Sequence, residues 1–525
     1  MTDLREVAMQ NQIDSLAAEN RDLSAVNKDL SSEVQRLKEQ NAFLRKNLFG
    51  RKSEKTKVVF DGQINLFDEA EQEAKKSAPE PELQTVQEHT RKKKTGQRRE
   101  MLENLPHEKK LFTLSEEERS CKRCGTELVS MGEQLIRTEV QFIPAEIKVI
   151  DIYQETFECR ACRKEQHFSI EKPNLPKPVL AHSMASASSI AHVMMQKYFY
   201  AVPLSRQEKE WHTLGIKLSR GTMANWIILS ARDWLQPITA LLKDELLKEP
   251  CLHADETPVQ VLGEKGRKNT TKSYMWLYAS GKYEPLHKIR LFDYQASRSG
   301  SCAKEYLQGF HGYLHTDAYA GYEKVQDVTR CLCWAHARRY FVDAVAPGID
   351  DLSESLAKEG IEQINKLFEI EKELAELSIE ERQEQRLQRE KPLLQAFWSW
   401  IETRKGSVLP KSRLCQAMNY AAANRKGLEA YLQDGRCNIS NNLAEGSIRP
   451  FTIGRKNWLF SGSPKGATAS AAVYSLIETC KANEIDPYKY LIYLLEHLPN
   501  EPFQRQPEIL QKYLPWSSEV LSNCK

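Results

Sequence analysis

The segment CLHADETPVQV, residues 251–261, combines the pattern of a buried strand with two adjacent acids. Most of its positions are apolar or β-branched, as strands prefer. Asp255 and Glu256 lie side by side within it. Because a buried carboxylate without a partner is costly enough to take up a proton instead, the fold must bring a compensating positive charge to this strand.

Length and composition describe a protein of several domains. At 525 residues the chain exceeds what one hydrophobic core usually organises, so we expect about three to five modules. The net charge of +3 excludes a uniformly basic coat protein, and any nucleic-acid binding has to rest on local basic patches. The sequence has neither a run of about 18 apolar residues nor a signal-peptide core. We therefore expect a cytoplasmic protein, associated with the nucleoid when it binds DNA.

Residues 1–50 have the heptad pattern of a coiled coil. Leucine recurs at every seventh position, as Leu16, Leu23, Leu30, Leu37 and Leu44. Asparagines at several of the intervening core positions favour a parallel two-stranded coil, in which a buried Asn bonds to the sister helix. A single amphipathic helix packing on its own protein is the alternative. The pattern predicts a dimerisation element.

Two cysteine pairs follow a polar linker. Residues 51–105 mix proline, glutamate and basic clusters, a composition that cannot bury a core. Within residues 106–175, two C-x-x-C turns supply the four ligands of a tetrahedral zinc site: Cys121, Cys124, Cys159 and Cys162. Four thiolates would close the coordination shell, so we expect a structural zinc ion in a zinc ribbon.

Residues 176–248 are predicted to be helical. The pattern of a helix, a turn at Gly215 and a second helix capped by Ser219 is typical of a helix-turn-helix unit. Arg220, Thr222 and Asn225 would then lie near the exposed start of the second helix, where such units contact DNA. A plain helical hairpin inside a core remains the alternative.

Residues 249–460 are predicted to form an α/β domain around the acidic strand. The order strand, strand, strand, helix, strand, helix, strand is that of a ribonuclease-H-like fold, with long amphipathic helices inserted over residues 346–436. In that fold the first strand is central, and an acid on it, here Asp255 or Glu256, neighbours an acid at the end of the fourth, here Asp317. These carboxylates compensate each other only with a divalent metal between them, and Mg²⁺ prefers oxygen ligands.

A third acid and a basic surface come from the segment SNNLAEGSIRPFTIGRKNWLFSG. Ser440 or Asn441 can cap a helix that carries Glu445. The DNA-binding candidates that follow combine phosphate-binding cations with an aromatic ring for base stacking: Arg449, Arg455, Lys456, Trp458 and Lys465. Residues 461–525 are predicted to be a C-terminal helical element.

These blocks resemble the DDE transposases of the insertion-sequence 66 family. The resemblance rests on LHADETPV, GYLHTDAYAGY, CWAHARR, NNLAEGSIRPFTIGRKNWLFSG and YLIYLLEHLP, and on the leucine-zipper start and the four-cysteine module. It implies that Asp255, Asp317 and Glu445 bind the metal. It also implies two small accessory proteins from the same element as partners, besides DNA and a second copy of the chain.

The expected chemistry is phosphoryl transfer with two Mg²⁺ or Mn²⁺ ions in each active site. The ions would lower the pKa of a water that attacks the element's end, and the freed 3′-hydroxyl would then attack target DNA. Two alternatives remain open: a metal-dependent nuclease of the same fold without strand transfer, and a DNA-binding regulator with a silent catalytic domain.

The segment CLCWAHARR raises a separate question about metal. Cys331, Cys333 and His336 have C-x-C-x-x-H spacing, which is too loose to define a site. A second metal site and a buried strand followed by a helix that begins near the histidine are both compatible with it.

Overall fold

The computed structural model describes parts of residues 16–37, and residues 147–155, 157–158, 170–171, 173–283, 285–345 and 355–525. The strands are β1 (Phe157–Glu158), β2 (Ile170–Glu171), β3 (Cys251–Val261), β4 (Lys272–Ser280), β5 (Arg290–Gln295), β6 (Gly312–Thr316), β7 (Val328–Leu332) and β8 (Phe460–Ser461).

The α-helices are α1 (Ala187–Tyr198), α2 (Leu204–Thr213), α3 (Arg220–Ser230), α4 (Gln236–Leu246), α5 (Gly300–Tyr306), α6 (Trp334–Ala344), α7 (Leu356–Glu373), α8 (Ile379–Gln385), α9 (Lys391–Arg404), α10 (Arg413–Ala423), α11 (Arg425–Glu429), α12 (Asn442–Trp458), α13 (Pro464–Ala482), α14 (Pro487–His497) and α15 (Ser518–Cys524).

A mixed sheet with the order β5-β4-β3-β6-β7 organises the α/β part. Strands β3, β4 and β5 are antiparallel neighbours, whereas β6 and β7 run parallel to β3. The predicted strand over residues 251–261 is confirmed, and it lies in the middle of the sheet.

The helix predicted between β6 and β7 is wrong, because residues 320–324 form only a short 3₁₀ helix. The eleven residues that join the two parallel strands are too few for a full helix and its turns. The turn lies close to α5: a Cβ built at Gly300 would lie 2.0 Å from the carbonyl oxygen of Gly321. Only glycine allows the two elements to approach this closely.

Helix α13, which follows residue 461, shares the hydrophobic core of the sheet. Thirteen of its nineteen residues are buried. It packs along β5, where Ser475 Oγ accepts the Phe292 N–H at 2.8 Å and Thr479 Oγ1 accepts the Arg290 N–H at 3.0 Å. Helix α12 packs on β3 and β4. Two helices from the end of the chain therefore support the strands that carry the acids.

The predicted insertion has its own core. The chain from residue 355 onward forms the amphipathic helices α7 to α11, which bury apolar residues against α6 in a cluster separate from that of the sheet. An ion pair inside it joins Arg386 to Glu371 through Nε and Oε1 at 2.5 Å. The helical prediction for this region is confirmed over the described residues, and residues 346–354 lie outside them.

The helical hairpin α2–α3 has the predicted turn and cap. Gly215 adopts a φ of +95°, which favours glycine, and Ser219 Oγ accepts the Thr222 N–H at 3.1 Å. On α3, Met223, Trp226 and Ile227 are buried in the core that also covers the sheet. The first part of this helix remains accessible.

The N-terminal predictions are described only in part. The described positions between residues 16 and 37 are helical, and the leucines at 16, 23, 30 and 37 are 51–59% exposed. Leu44 and the cysteines at 121, 124, 159 and 162 lie outside the described residues. Strands β1 and β2, which lie on either side of the second cysteine pair in the sequence, form an antiparallel pair. No helix in the described part of the chain is long and apolar enough to span a membrane.

Candidate functional site

Strand register brings the first two acids together. In the parallel pair of β3 and β6, His253 is opposite His315. The same offset, continued by two residues, brings Asp255 level with Asp317, which directly follows β6. Asp317 Oδ1 accepts the N–H of Tyr319 at 2.9 Å, which fixes the carboxylate at the start of the following turn.

The electrostatic environment of Asp255 is unfavourable for its charged form. Burial raises the pKa of this carboxyl to about 8, and the charges of Glu256, Glu445 and Asp317 also contribute. Its Oδ1 accepts the Glu256 N–H at 2.9 Å, which offsets part of that cost. No lysine or arginine among the described residues forms an ion pair with Asp255. Among the described residues, Asp255 therefore lacks the compensating positive charge that we expected from the sequence.

Glu256 points to the opposite face and has its own partners. Arg298 Nη2 lies 2.6 Å from Glu256 Oε1, and the Tyr322 hydroxyl donates to Oε2 at 2.6 Å. The side chain is only 2% exposed. Burial raises the pKa of Glu256, while the bonds from Tyr322 and Arg298 act against that rise. Of the two adjacent acids, Glu256 is thus compensated by the protein and Asp255 is not.

Helix α12 brings Glu445 to this site in its first turn. Asn441, one of the two predicted caps, is the N-cap residue, but its side chain makes no capping hydrogen bond. The side chain bonds to β3 instead: Nδ2 donates to the Ala254 carbonyl at 2.9 Å, and Oδ1 lies 2.9 Å from Nδ1 of His253. The start of α12 is therefore fixed to the residue that precedes Asp255.

Glu445 also belongs to a second cluster, with two residues at the start of α6. Ligand atoms of Cys333, His336 and Glu445 all lie within 4.8 Å of one another. His336 Nδ1 is 3.6 Å from Glu445 Oε1, and neither atom has a hydrogen-bond partner among the described residues. The oxygens of Asp255, Asp317 and Glu445 do not form such a group of three within 4.8 Å.

The possible metal site at Cys331, Cys333 and His336 is divided by the structure. Cys331 lies instead with His315 and Cys437, two residues that the sequence patterns did not indicate. His315 uses both ring nitrogens, one near the Leu252 carbonyl at 3.3 Å and the other accepting the Asn438 N–H at 2.9 Å. Because both nitrogens are engaged, this buried group serves to hold β3, β6 and the segment before α12 together.

The predicted DNA-binding residues of the helical hairpin lie at the accessible start of α3. Arg220 and Asn225 are exposed, and Thr222 is half-buried. The backbone N–H of Arg220 donates to Glu208 Oε1 at 3.1 Å, which ties α3 to α2.

The second half of α12 is more engaged than the sequence suggested. Arg455 is half-buried, and its Nη1 donates to Thr257 Oγ1 at 2.9 Å and to the Pro258 carbonyl. Burial lowers its pKa. The ring of Trp458 is half-buried and packs edge-on against Phe451, with centroids 5.5 Å apart.

Other candidates on this surface are accessible. Lys456 and Lys465 are exposed, and Arg449 is half-buried. Beyond Trp458, Leu459 is 66% exposed and Phe460 is 45% exposed. Ile453 on α12 is 48% exposed, so three accessible apolar side chains lie among the basic residues.

Family models match four parts of the chain. The model described as "Transposase IS66 family" matches residues 182–469, a range that contains Asp255, Asp317 and Glu445. The "zinc-finger binding domain of transposase IS66" matches residues 118–163, which include all four cysteines of the predicted zinc site. The "IS66 C-terminal element" matches residues 475–516, and "Transposase C of IS166 homeodomain" matches residues 36–109.

The chain is also similar to proteins of Sinorhizobium fredii (strain NBRC 101917 / NGR234). Uncharacterized protein y4hP is 28% identical over 90% of this chain and 87% of its own length. Uncharacterized protein y4qI is 27% identical over 92% of this chain and 89% of its own length. The similarity extends over nearly the whole chain in both.

Proposed function

Because the chain belongs to the transposase IS66 family, we propose that this transposase cleaves the ends of its own element and joins the 3′ ends to target DNA. Asp255, Asp317 and Glu445 form the acidic site in this proposal. The observation that carries it is the β3–β6 register, which brings Asp255 level with Asp317, two acids that the sequence separates widely.

The sheet supports a ribonuclease-H-like core. Three antiparallel strands are followed by two parallel ones and the first strand is central, as expected for that fold, but a 3₁₀ turn takes the place of the helix expected between β6 and β7. The first strand carries Asp255, Asp317 directly follows the fourth strand, and a helix that packs on the sheet carries Glu445.

The donor set fits divalent cations. All three side chains offer carboxylate oxygens, which Mg²⁺ prefers. Oε1 of Glu445 is buried and has no hydrogen-bond partner among the described residues, and Asp255 is half-buried close to other negative charges. Two ions about 4 Å apart can bind different oxygens, so the site does not require all three acids to share one ion.

Bound Mg²⁺ or Mn²⁺ would supply Lewis-acid stabilisation of the negative charge that develops at the phosphate. The chain's own residues fix where this happens. Asn441 holds the start of α12 against Ala254, and Arg298 neutralises Glu256. Only Asp255 of the adjacent pair therefore faces the site as an uncompensated acid.

Affinity for DNA is assigned to residues outside the acidic site. Arg220, Thr222 and Asn225 would contact one DNA segment from the start of α3, and Arg449, Lys456 and Lys465 would bind phosphates from α12 and α13. Arg455 and Trp458 keep a supporting role in this proposal, because both already contact the protein. Such binding weakens as salt concentration rises.

The remaining modules have structural roles in this proposal. Cys121, Cys124, Cys159 and Cys162 hold one structural Zn²⁺ ion, and the leucines at 16, 23, 30, 37 and 44 pair two copies of the chain. Two small accessory proteins of the same element are proposed as further partners.

A strand-transfer assay tests the proposal. Purified protein, Mg²⁺ and a labelled element end should give both nicked and joined products. Nicked products alone would favour a nuclease without strand transfer, and DNA binding without either product would favour a regulator. Changing Asp255 or Asp317 to Asn, or Glu445 to Gln, should abolish both products and leave end binding largely intact. Glu323→Gln is the matched control, since its side chain is 70% exposed.

A further inference from the structure

Two buried polar atoms face each other beside the acidic site. His336 Nδ1 and Glu445 Oε1 are 3.6 Å apart, and each lacks a hydrogen-bond partner in the described part of the chain. This separation is too long for a hydrogen bond between them. A buried polar atom that makes no hydrogen bond destabilises the folded state. Such a pair indicates a ligand-binding position.

The separation is suited to a shared cation. Two ligand atoms that each lie about 2.1 Å from one ion are about 3.0–3.4 Å apart in octahedral or tetrahedral geometry. A small side-chain rotation would bring the pair from 3.6 Å into this range. The two side chains are 26% and 28% exposed, so an ion can enter from solvent.

The backbone around the pair is fixed by several hydrogen bonds. The Asn441 N–H donates to Cys333 Sγ at 3.1 Å, which joins the start of α12 to the start of α6. The Trp334 N–H donates to the Ile439 carbonyl at 3.1 Å, and its ring N–H donates to the Leu428 carbonyl at 2.8 Å. His336 and Glu445 are thus held on first turns that cannot move apart independently, as a preformed site requires.

We propose that His336 is a further metal ligand of this transposase, its Nδ1 binding the same divalent cation as Oε1 of Glu445. The inference rests on the proposed function, in which Glu445 is the third acid. Imidazole nitrogen is a ligand for first-row transition ions, whereas Mg²⁺ takes oxygen. His336 would therefore shift the preference of the site from Mg²⁺ toward a first-row ion such as Mn²⁺.

Cys333 is excluded from the ligand set. Its sulfur already accepts the Asn441 N–H at 3.1 Å, a contact that commits it to joining the two helix starts.

The test measures metal binding directly on the full-length protein with its zinc retained. Mn²⁺ affinity is measured from the paramagnetic resonance signal of the free ion, and Mg²⁺ affinity by calorimetry. His336→Asn keeps a polar side chain whose amide oxygen can still bind a cation. We expect it to weaken Mn²⁺ binding at least about tenfold and Mg²⁺ binding less than about threefold. His311→Asn, at an exposed histidine just before β6, should change neither affinity.

A spectroscopic measurement on the wild-type protein shows whether His336 binds the metal even if the His336→Asn variant folds poorly. Electron spin-echo modulation of bound Mn²⁺ should show coupling to a directly ligated ¹⁴N nucleus, which His336→Asn should abolish and His311→Asn should retain. Absence of this coupling in the wild type would overturn the inference. So would equal weakening of both ions in His336→Asn, which would indicate a merely structural histidine.

Failure of the proposed function would look different. Mn²⁺ bound with a nitrogen ligand, together with no cleavage of DNA in any divalent ion, would refute the transposition mechanism and leave His336 as a ligand. Cleavage and joining without nitrogen coupling would refute the role of His336 and support the three acids alone.

Discussion

Replacing Asp255 with Asn should stabilise the transposase at alkaline pH when no Mg²⁺ or Mn²⁺ is present. Burial first, and then the nearby charges of Glu256, Glu445 and Asp317, raise the pKa of this carboxyl from 3.8 to about 8. At a pH between these two pKa values, Asp255 therefore keeps a proton in the folded state that it has released in the unfolded state. The stability contributed by the protonated form is complete below pH 4 and is lost as pH rises toward 8.

The size of the effect follows from the pKa difference. Each unit corresponds to about 1.36 kcal/mol, so the free energy of unfolding could fall by at most about 6 kcal/mol across this range. Because Asp255 is only half-buried and solvent screens part of the repulsion, we expect about 2 kcal/mol at pH 8. Asn has almost the same shape and keeps the acceptor for the Glu256 N–H, so the variant should avoid this loss.

Urea unfolding at pH 5 and pH 8 provides the assay. The buffers should be free of Mg²⁺ and Mn²⁺ but contain no chelator, so that a structural zinc ion stays bound. We expect Asp255→Asn to exceed the wild type by about 2 kcal/mol at pH 8 and by much less at pH 5. Added Mg²⁺ should stabilise the wild type and not the variant. A wild type as stable as the variant at pH 8 in metal-free buffer would refute this account of the carboxyl.

Three further predictions concern other parts of the chain. Gly300→Ala should lower the free energy of unfolding, measured in urea, by more than about 3 kcal/mol, because the new Cβ would overlap the Gly321 carbonyl. In the control Gly446→Ala the new Cβ meets no atom within 4 Å, so the free energy of unfolding should rise by up to about 1 kcal/mol. Equal effects of the two substitutions would contradict this packing. Elemental analysis should find about one zinc ion per chain, and changing Cys121 to Ser should remove it. A folded protein without zinc would exclude the structural zinc site. A peptide of residues 9–48 should sediment as a dimer at roughly tens of micromolar, and a monomer there would count against the coiled coil.

The sequence predicted those features of the fold that depend on local patterns. The strand over residues 251–261 follows from its apolar and β-branched positions, and the α2–α3 turn from Gly215 and Ser219. The helix between β6 and β7 was predicted from the usual order of the fold, although the eleven residues between the two strands are too few for one. The close approach of α5 to that turn through Gly300, in contrast, depends on tertiary contacts. Local patterns carry no information about such contacts.

The candidate site likewise combines features that follow from local sequence patterns with features that depend on tertiary contacts. Alternation along a strand puts Asp255 and Glu256 on opposite faces, but it cannot identify which acid finds a partner within the protein. That depends on Arg298, which lies more than forty residues away. Similarly, the spacing of Cys331, Cys333 and His336 gave no sign that Cys331 would contact Cys437, because Cys437 returns to the sheet only after the helical insertion.

The hydrogen bond from Asn441 to the Ala254 carbonyl has a consequence for the evolution of this transposase. The position of Glu445 is set by Asn441 at the sheet and not by the path of the chain between Asp317 and Glu445. Helices α7 to α11 bury their own apolar residues, and lengthening a connection costs only about 0.6 kcal/mol for each doubling. Connections within the insertion can therefore be lengthened without displacing the third acid, provided that the insertion's contacts with Trp334 and Cys437 are kept.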